Sequence, residues 1–292
     1  MPAAKREPAA APGAPPLEPM LAREFEEAAR AGRVAYPALV QPKLDGVRVL
    51  ASSGALWSRR GSSFGHLARV RAALRALPEG VVLDGELYAH GLGFQRVVSL
   101  VRNVGSAAGE RELELHAFDV AAAPPALLPP GAPFAARLEL LRALAARLDP
   151  AVVRVVETRE AAGRAAVDGA LRGYLERGYE GAVVRDPASP YAAGRRSAGL
   201  LKYKRFATDE FEVVRAEEAG GKDAGTAVLV CRAANGREFR VRPEGPREAR
   251  AELLARARRG GLGGARLTVR YQELTRGGVP RFPVGVGLRD YE

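Results

Sequence analysis

Apolar positions recur along this chain at two spacings, and the switches between them predict a mixed series of helices and strands. Leu67, Val70, Leu74 and Leu77 keep helical spacing until Pro78 stops the run. Residues 18–30 carry Met20, Leu21, Phe25, Ala28 and Ala29 near one helical face, and residues 94–101 turn Phe94, Val97, Val98 and Val101 inward. Residues 36–50 read as strand, turn, strand, with Asp45-Gly46 as the turn. Strands are expected at 81–88 and 113–120. A proline-rich loop (124–133) then leads to a helix over 134–148. Strand 152–157, a helix ending near 177, strand 180–185 and strand 200–204 complete this half. Helices interrupt the strands irregularly, which predicts an α+β domain and not a repeating βαβ wheel.

After Arg205 the texture changes. Strands are expected at 211–215, 226–232 and 238–242, then a helix at 246–258, then strands at 265–273 and 282–288. Five strands with one helix after the third suit a small Greek-key barrel of the OB type; the order alone leaves another small barrel or an open sheet as alternatives. The expected organisation is a disordered Ala/Pro-rich tail (1–17), a first domain (18–205) and a barrel domain (206–292), with a hinge at 206–209.

Composition narrows the setting. The 292 residues, 47% hydrophobic and 27% charged, suit one large or two modest domains. A single cysteine, Cys231, excludes an internal disulfide framework, and three histidines argue against a Cys/His zinc site. A reducing, cytoplasmic setting is expected, with no membrane span, since no apolar run approaches the roughly 18 residues needed. The net charge of +11 points to a polyanionic partner.

The basic residues carry a sharper signal. Of the 45, only Lys5, Lys43, Lys202, Lys204 and Lys222 are lysine. Where only charge is wanted the chain uses arginine, so a retained lysine is a candidate for chemistry arginine cannot perform, above all nucleophilic attack. Lys5 and Lys222 lie among polar or small neighbours and read as surface residues. Lys43, Lys202 and Lys204 are flanked by apolar residues. Lys202 and Lys204, two apart on a strand, project to one face while Tyr203 points away. Two such ammonium groups suit a phosphate chain and would depress the pKa of a nearby lysine. Glu86 and Glu180 sit at strand edges beside glycine, where a ligand can come close. Phe118 ends a strand and could stack on a purine. Taken singly, Asp-Gly is an ordinary hairpin turn, Phe118 a core residue, and the two glutamates solvated or capping groups.

Their order gives them joint meaning. Lys43-Leu44-Asp45-Gly46-Val47-Arg48 resembles the KxDGxR motif of the covalent nucleotidyltransferases: ATP-dependent DNA ligases, RNA ligases and mRNA capping enzymes. Ser58-Arg59-Arg60-Gly61 resembles the SRxG element, Asp84-Gly85-Glu86-Leu87 the DGEL motif, and Phe118-Asp119 the aromatic motif. Glu180-Gly181-Ala182-Val183-Val184-Arg185 is similar to the EG-plus-apolar motif, and Leu201-Lys202-Tyr203-Lys204 to the KxK motif. All six fall in family order between Tyr36 and Lys204. The segment 278–283, with Leu288-Arg289-Asp290, resembles the end of the ligase OB domain. It departs from the family's RxDK ending: Arg289-Asp290 is followed by Tyr291-Glu292.

The resemblance implies an ATP-grasp-like nucleotidyltransferase domain followed by an OB-fold barrel, in a minimal ATP-dependent DNA ligase. It implies ATP as co-substrate, Mg²⁺ with Mn²⁺ able to substitute, and nicked duplex DNA as partner. A monomer is expected, with no separate N-terminal DNA-binding domain, serving replication, repair or recombination. By the family pattern Lys43 would carry AMP as a phosphoramidate. Gln41 would help recognise adenine, and Phe118 would stack on it. Arg48 and Glu86 would hold the ribose and its surroundings. Glu180, together with Glu86, would bind the metal, and Lys202 and Lys204 would contact the α-phosphate. Arg59 would grip the 5′-phosphate of the nick. Arg289 would orient pyrophosphate, with Arg281 as a substitute contact. The rivals are an RNA ligase, a GTP-using capping-type enzyme, and a non-catalytic OB nucleic-acid-binding protein; the last accounts for charge and barrel but not for six ordered motifs.

Overall fold

The computed structural model describes residues 15, 17–102, 110–260, 262–275 and 277–289. The expected N-terminal tail falls almost wholly outside them, as do Asp290, Tyr291 and Glu292. The chain forms two compact units, Met1–Tyr203 and Lys204–Glu292.

The first unit contains two five-stranded sheets. One has the order β1-β10-β9-β2-β8, built from β1 (Leu21–Glu24), β2 (Ala38–Lys43), β8 (Arg159–Ala161), β9 (Gly181–Arg185) and β10 (Arg196–Tyr203). The other has the order β4-β3-β5-β6-β7, built from β3 (Val47–Ser52), β4 (Ala55–Ser58), β5 (Val82–Tyr88), β6 (Glu114–Ala122) and β7 (Val153–Val155). The helices are α1 (Phe25–Arg30), α2 (Ala68–Ala73), α3 (Phe94–Arg102), α4 (Phe134–Ala145) and α5 (Arg164–Glu176).

Strand alternation gives each sheet one apolar face. In the first, Val40, Ala182, Val184 and Leu201 join Phe25 of α1 and Val167, Leu171 and Tyr174 of α5 in one buried cluster. In the second, Val49, Leu83, Leu87, Leu115 and Ala117 pack with Val70, Val97, Phe134 and Leu141 from the helices. The opposite face of the first sheet carries Gln41, Lys43, Arg185 and Lys202; that of the second carries Arg48, Asp84 and Glu86 beside a smaller apolar cluster of Leu50, Ala55, Trp57 and Val82.

One local expectation gives way to tertiary pairing. Residues 21–24 form a strand where a helix was expected, because the edge of β10 offers hydrogen bonds: Leu21 pairs with Arg196, and its N–H donates to the Arg195 carbonyl at 2.9 Å. The helix begins only at Phe25. In α3 it is Leu100, with Val97 and Val101, that is buried, while Phe94 and Val98 are half-buried. Strands β4 and β8 carry no strong pattern; each is a short edge strand that exists because a longer neighbour pairs with it.

The second unit is a closed barrel in the order β11-β12-β13-β15-β14. Its strands are β11 (Ala207–Glu218), β12 (Ala227–Arg232), β13 (Glu238–Pro243), β14 (Arg266–Tyr271) and β15 (Val284–Arg289), with α6 (Arg247–Arg258) after the third. β11 is long enough to pair with β12 along one part and β14 along the other, and a parallel β13–β15 contact closes the ring. Alternation again decides the core: Leu229, Val241, Leu267 and Val269 point inward with Leu254 of α6. The expected hinge at 206–209 is a barrel strand from Ala207 onward, with Ala207, Thr208 and Asp209 paired to Tyr271, Arg270 and Val269. Among the described residues no helix is long and apolar enough to cross a membrane.

One buried polar cluster ties the first unit together. Asp119 on β6 is fully buried and accepts from Arg137 of α4 at 2.8 and 3.1 Å and from Arg185 of β9 at 2.6 Å. Arg137 also donates to the carbonyls of Ala132 and Ser189, at 2.8 and 2.9 Å. Removing the carboxylate would leave two guanidinium groups buried without their counter-ion. Asp119→Ala is therefore expected to lower the unfolding free energy by about 3–5 kcal/mol, read from the denaturant midpoint; a loss below about 1 kcal/mol would contradict this account.

Candidate active site

Strand register brings the site residues onto facing surfaces. In the first sheet Gln41 pairs with Val183 and Lys43 with Gly181 across β2–β9, and Lys202 pairs with Val183 across β9–β10. Directly paired residues share a face, so Gln41, Lys43, Arg185 and Lys202 stand on the side opposite the apolar cluster. Tyr203 points away, stacked near Phe25 at 4.4 Å and donating to Asp168 at 2.9 Å. In the second sheet Arg48, Glu86 and His116 lie in one row across β3, β5 and β6.

Lys43 ends β2. Its Nζ contacts Glu180 Oε2, and Glu180, just before β9, also donates its backbone N–H to the Lys43 carbonyl at 3.0 Å. The lysine side chain is 22% exposed and the glutamate 5%, so the amine opens to solvent while its carboxylate partner is walled in. The charged group that Lys43 touches is thus an anion, where cationic neighbours were expected. Lys202 is likewise paired, with Glu24 of β1 at 2.7 Å. Lys204 follows directly after β10 and begins the second unit.

Glu86 stands opposite on β5. Its Oε1 accepts the Gly46 N–H at 2.8 Å. The turn after Lys43 reaches β5 only because residue 46 is glycine: a Cβ there would lie 2.3 Å from the Leu87 carbonyl oxygen and 2.9 Å from Glu86 Cγ. Burial pushes the Glu86 carboxyl up to about 7, against the lowering effects of Lys43, the Gly46 N–H and Arg48. Among the described residues no three His, Cys, Asp or Glu groups gather to hold a metal. Glu86 and Glu180 offer two oxygen ligands, which suits Mg²⁺, an ion that keeps several waters and takes the rest of its shell from phosphates.

At the other end of the cleft an aromatic ring lies between two arginines. Phe118 on β6 is half-buried, with the Arg48 and Arg185 guanidinium carbons each 5.5 Å from its ring centroid. Arg48 forks onto the buried Asp84 with bonds of 2.9 and 2.6 Å. Gln41 is 2% exposed. Its Oε1 accepts from Arg185 at 3.0 Å, and its Nε2 donates to Thr158 Oγ1 at 3.0 Å and to the Phe118 carbonyl at 3.4 Å. The carboxamide expected to read adenine is therefore taken up by the wall it belongs to. Arg59 is exposed in the turn after β4, a turn held by Ser58 Oγ accepting from the Ser62 N–H at 3.0 Å. Arg289 ends β15 in the barrel and pairs with Glu210 at 3.0 Å. Arg281 pairs with Glu273 at 2.7 Å.

Sequence reasoning missed Asp84, Thr158, Arg137 and Tyr191. Asp84 was visible inside its motif as the same-face neighbour of Glu86; the other three lie outside every motif. A cavity of about 560 Å³ flanks the cleft, lined by His90, Glu114, His116, Arg154 and Tyr179, with Tyr179 next to Glu180 in the chain. Glu114 bonds both His116, at 2.9 Å, and Arg154, at 2.7 Å. Burial lowers the His116 pKa, against the raising effect of Glu114.

Comparison with known proteins shows the family. The sequence model of the ATP dependent DNA ligase domain matches residues 19–204. The chain belongs to that family. The DNA ligase OB-like domain matches residues 220–289. A probable DNA ligase of Streptomyces griseus is 36% identical over 246 residues, covering 72% of this chain and 44% of the relative. The DNA ligase of African swine fever virus (strain Badajoz 1971 Vero-adapted) is 30% identical over 275 residues, covering 86% of this chain and 63% of the relative. The chain thus spans less than two thirds of the length of these curated ligases. Among solved structures, a Lig E DNA ligase described as a minimal scaffold superposes with TM-score 0.74 at 22% identity, covering 93% of this chain and 99% of that one. The mycobacterial DNA ligase D complexed with ATP and MES superposes at 0.53 with 25% identity, covering 94% of this chain and 96% of that one.

The Glu86 environment gives a pH signature. A carboxyl raised from the usual 4.5 to about 7 prefers its proton in the folded chain. Its ionisation penalty is absent below the unfolded pKa and complete above the folded one. Stability of the wild type, measured against Glu86→Gln, is expected to decline as pH rises from about 4.5 to about 7; a difference independent of pH across that window would refute the assignment.

Proposed function

We propose that this chain is an ATP-dependent DNA ligase that seals 5′-phosphate/3′-hydroxyl nicks in duplex DNA through a covalent lysine–AMP intermediate. The observation that carries the reading is the contact of Lys43 Nζ with Glu180, beside Glu86 and in one cleft with Phe118, in a chain of this family. In this reading residues 18–205 are an adenylation domain and 206–292 an OB domain.

In the first step Lys43 Nζ attacks the α-phosphorus of ATP. The P–N bond forms, the bond to the β-phosphate oxygen breaks, and pyrophosphate leaves. Glu180 Oε2 orients the amine and receives its proton as the P–N bond forms. Phe118 stacks on adenine, and Gln41 shapes that end of the cleft by holding Thr158 and the Phe118 carbonyl. Arg48 and Glu86 hold the ribose. Lys202 and Lys204 meet the α-phosphate, which requires Lys202 to leave Glu24. Arg289, from the barrel, orients pyrophosphate. In the second step the nick 5′-phosphate, gripped by Arg59, attacks the adenylate and frees Lys43. In the third the 3′-hydroxyl attacks that phosphate and AMP departs. Glu180 and Glu86 would hold Mg²⁺, or Mn²⁺ in its place, which supplies charge neutralisation at the phosphates. The protein acts as a cytoplasmic monomer in this reading.

Exposure to ATP and Mg²⁺ is expected to add the mass of AMP to the wild type and nothing to Lys43→Ala, read by mass spectrometry; GTP in a parallel sample should leave no adduct. An adduct that persists in the mutant would move the nucleophile elsewhere, and labelling by GTP would favour a capping-type enzyme. Since grip on DNA would come mainly from arginine–phosphate contacts, nick affinity should fall steeply and log-linearly with salt. A flat response between low and physiological ionic strength would contradict that source of affinity.

A further inference from the structure

Arg48 faces the nucleotide cleft, yet a free arginine on a strand has many rotamers, and binding a ribose would require freezing them. In this chain the rotamer is set in advance by Asp84, and Asp84 is itself held by residues outside the six motifs. Both Asp84 oxygens accept from Arg48, and Oδ2 also accepts from the Tyr191 hydroxyl at 2.7 Å. Tyr191 lies in the segment between β9 and β10, far from Asp84 in sequence. Its hydroxyl oxygen accepts the Met20 backbone N–H at 3.0 Å. A backbone N–H can only donate, so the direction of the relay is fixed: Met20 N–H to Tyr191, Tyr191 to Asp84, and Arg48 to Asp84 from the other side. Burial and then the Asp84 charge raise the phenol pKa strongly, so Tyr191 keeps the proton it donates. The Arg137 guanidinium carbon lies 5.6 Å from the Tyr191 ring centroid, which packs the ring against the buried arginine–aspartate cluster.

We propose that Tyr191 is a positioning residue for nucleotide binding: it anchors Asp84 so that Arg48 is held beside Phe118 in the orientation that receives the ribose of ATP. The inference rests on the ligase reading, because that reading gives Arg48 its ligand. Asp84 is fully buried, and a buried carboxylate with one partner removed is mobile and costly. The tyrosine supplies the bond that the fork from Arg48 leaves unmade. Met20 extends the support to the first edge strand, next to the Leu21–Arg196 pairing.

The test reads binding without chemistry, using the full chain in a Lys43→Ala background and labelled ATP in equilibrium dialysis. Tyr191→Phe keeps the ring and removes only the hydroxyl; it is expected to weaken ATP binding about tenfold with a thermal midpoint close to its parent. Arg48→Ala should weaken binding at least as much. With both substitutions the loss should equal that of Arg48→Ala alone, because Tyr191 acts through Arg48. Losses that multiply, or a Tyr191→Phe chain that binds as its parent does, would overturn the proposal. If Tyr191→Phe fails to fold, Asp84→Asn takes its place; unchanged affinity there would overturn the proposal equally. A Lys43-intact chain that takes no label from any nucleotide would overturn the ligase reading and this one with it. A labelled wild type with an unaffected Tyr191→Phe variant would overturn this one alone.

Discussion

A single buried carboxylate, Asp119, shared by two arginines, is the interaction on which the first unit depends. It sits on β6 of one sheet and binds Arg185 on β9 of the other, while Arg137 adds helix α4 and, through the Ser189 carbonyl, the segment after β9. Such a cluster has little margin. Each guanidinium is buried, and burial lowers the pKa of Arg185. The compensation is complete bonding: among the described residues no buried side-chain nitrogen or oxygen lacks a partner. The two sheets are therefore held in one relative position, and the groups on their facing sides inherit that position.

The cleft follows from this constraint. Arg185 fixes Gln41, Gln41 fixes Thr158 and the Phe118 carbonyl, and Arg48 closes over the Phe118 ring from the second sheet. Toward the other end the polar groups are more exposed: Lys43 at 22% and Lys202 at 31% of their side-chain surface, each resting on a glutamate. In the proposed ligase reading the more buried end would receive the flat base, and the two lysines would exchange their glutamates for phosphates.

The barrel obeys a different logic. Its main core cluster is apolar, and its outward charges are interleaved: Arg215 with Glu217 and Glu238, Arg232 with Glu212, Arg270 with Glu244. Exposed pairs of this kind contribute little to stability.

The fold class, the strand–strand–strand–helix–strand–strand order of the barrel and the placement of most core residues were legible in the sequence, because a period of 2 or 3.6 is imposed locally by which face is buried. The six motifs were legible for a related reason: each needs particular residue types at fixed offsets on one strand or turn, such as Gly46 where β5 comes within reach of the backbone. Strand β1 was not legible, since only the edge of β10 makes residues 21–24 extended. Nor were Thr158, Arg137 and Tyr191, whose partners lie 117, 18 and 107 residues away in the chain. The sequence by itself determined which groups exist and which face of a strand they share. Tertiary structure alone decided which of those faces meet, that Lys43 rests on a carboxylate and not among cations, and that Gln41 serves the wall of the cleft. Hydrogen bonds and ion pairs between sheets depend on distance in space, and periodicity along one strand carries no information about that distance.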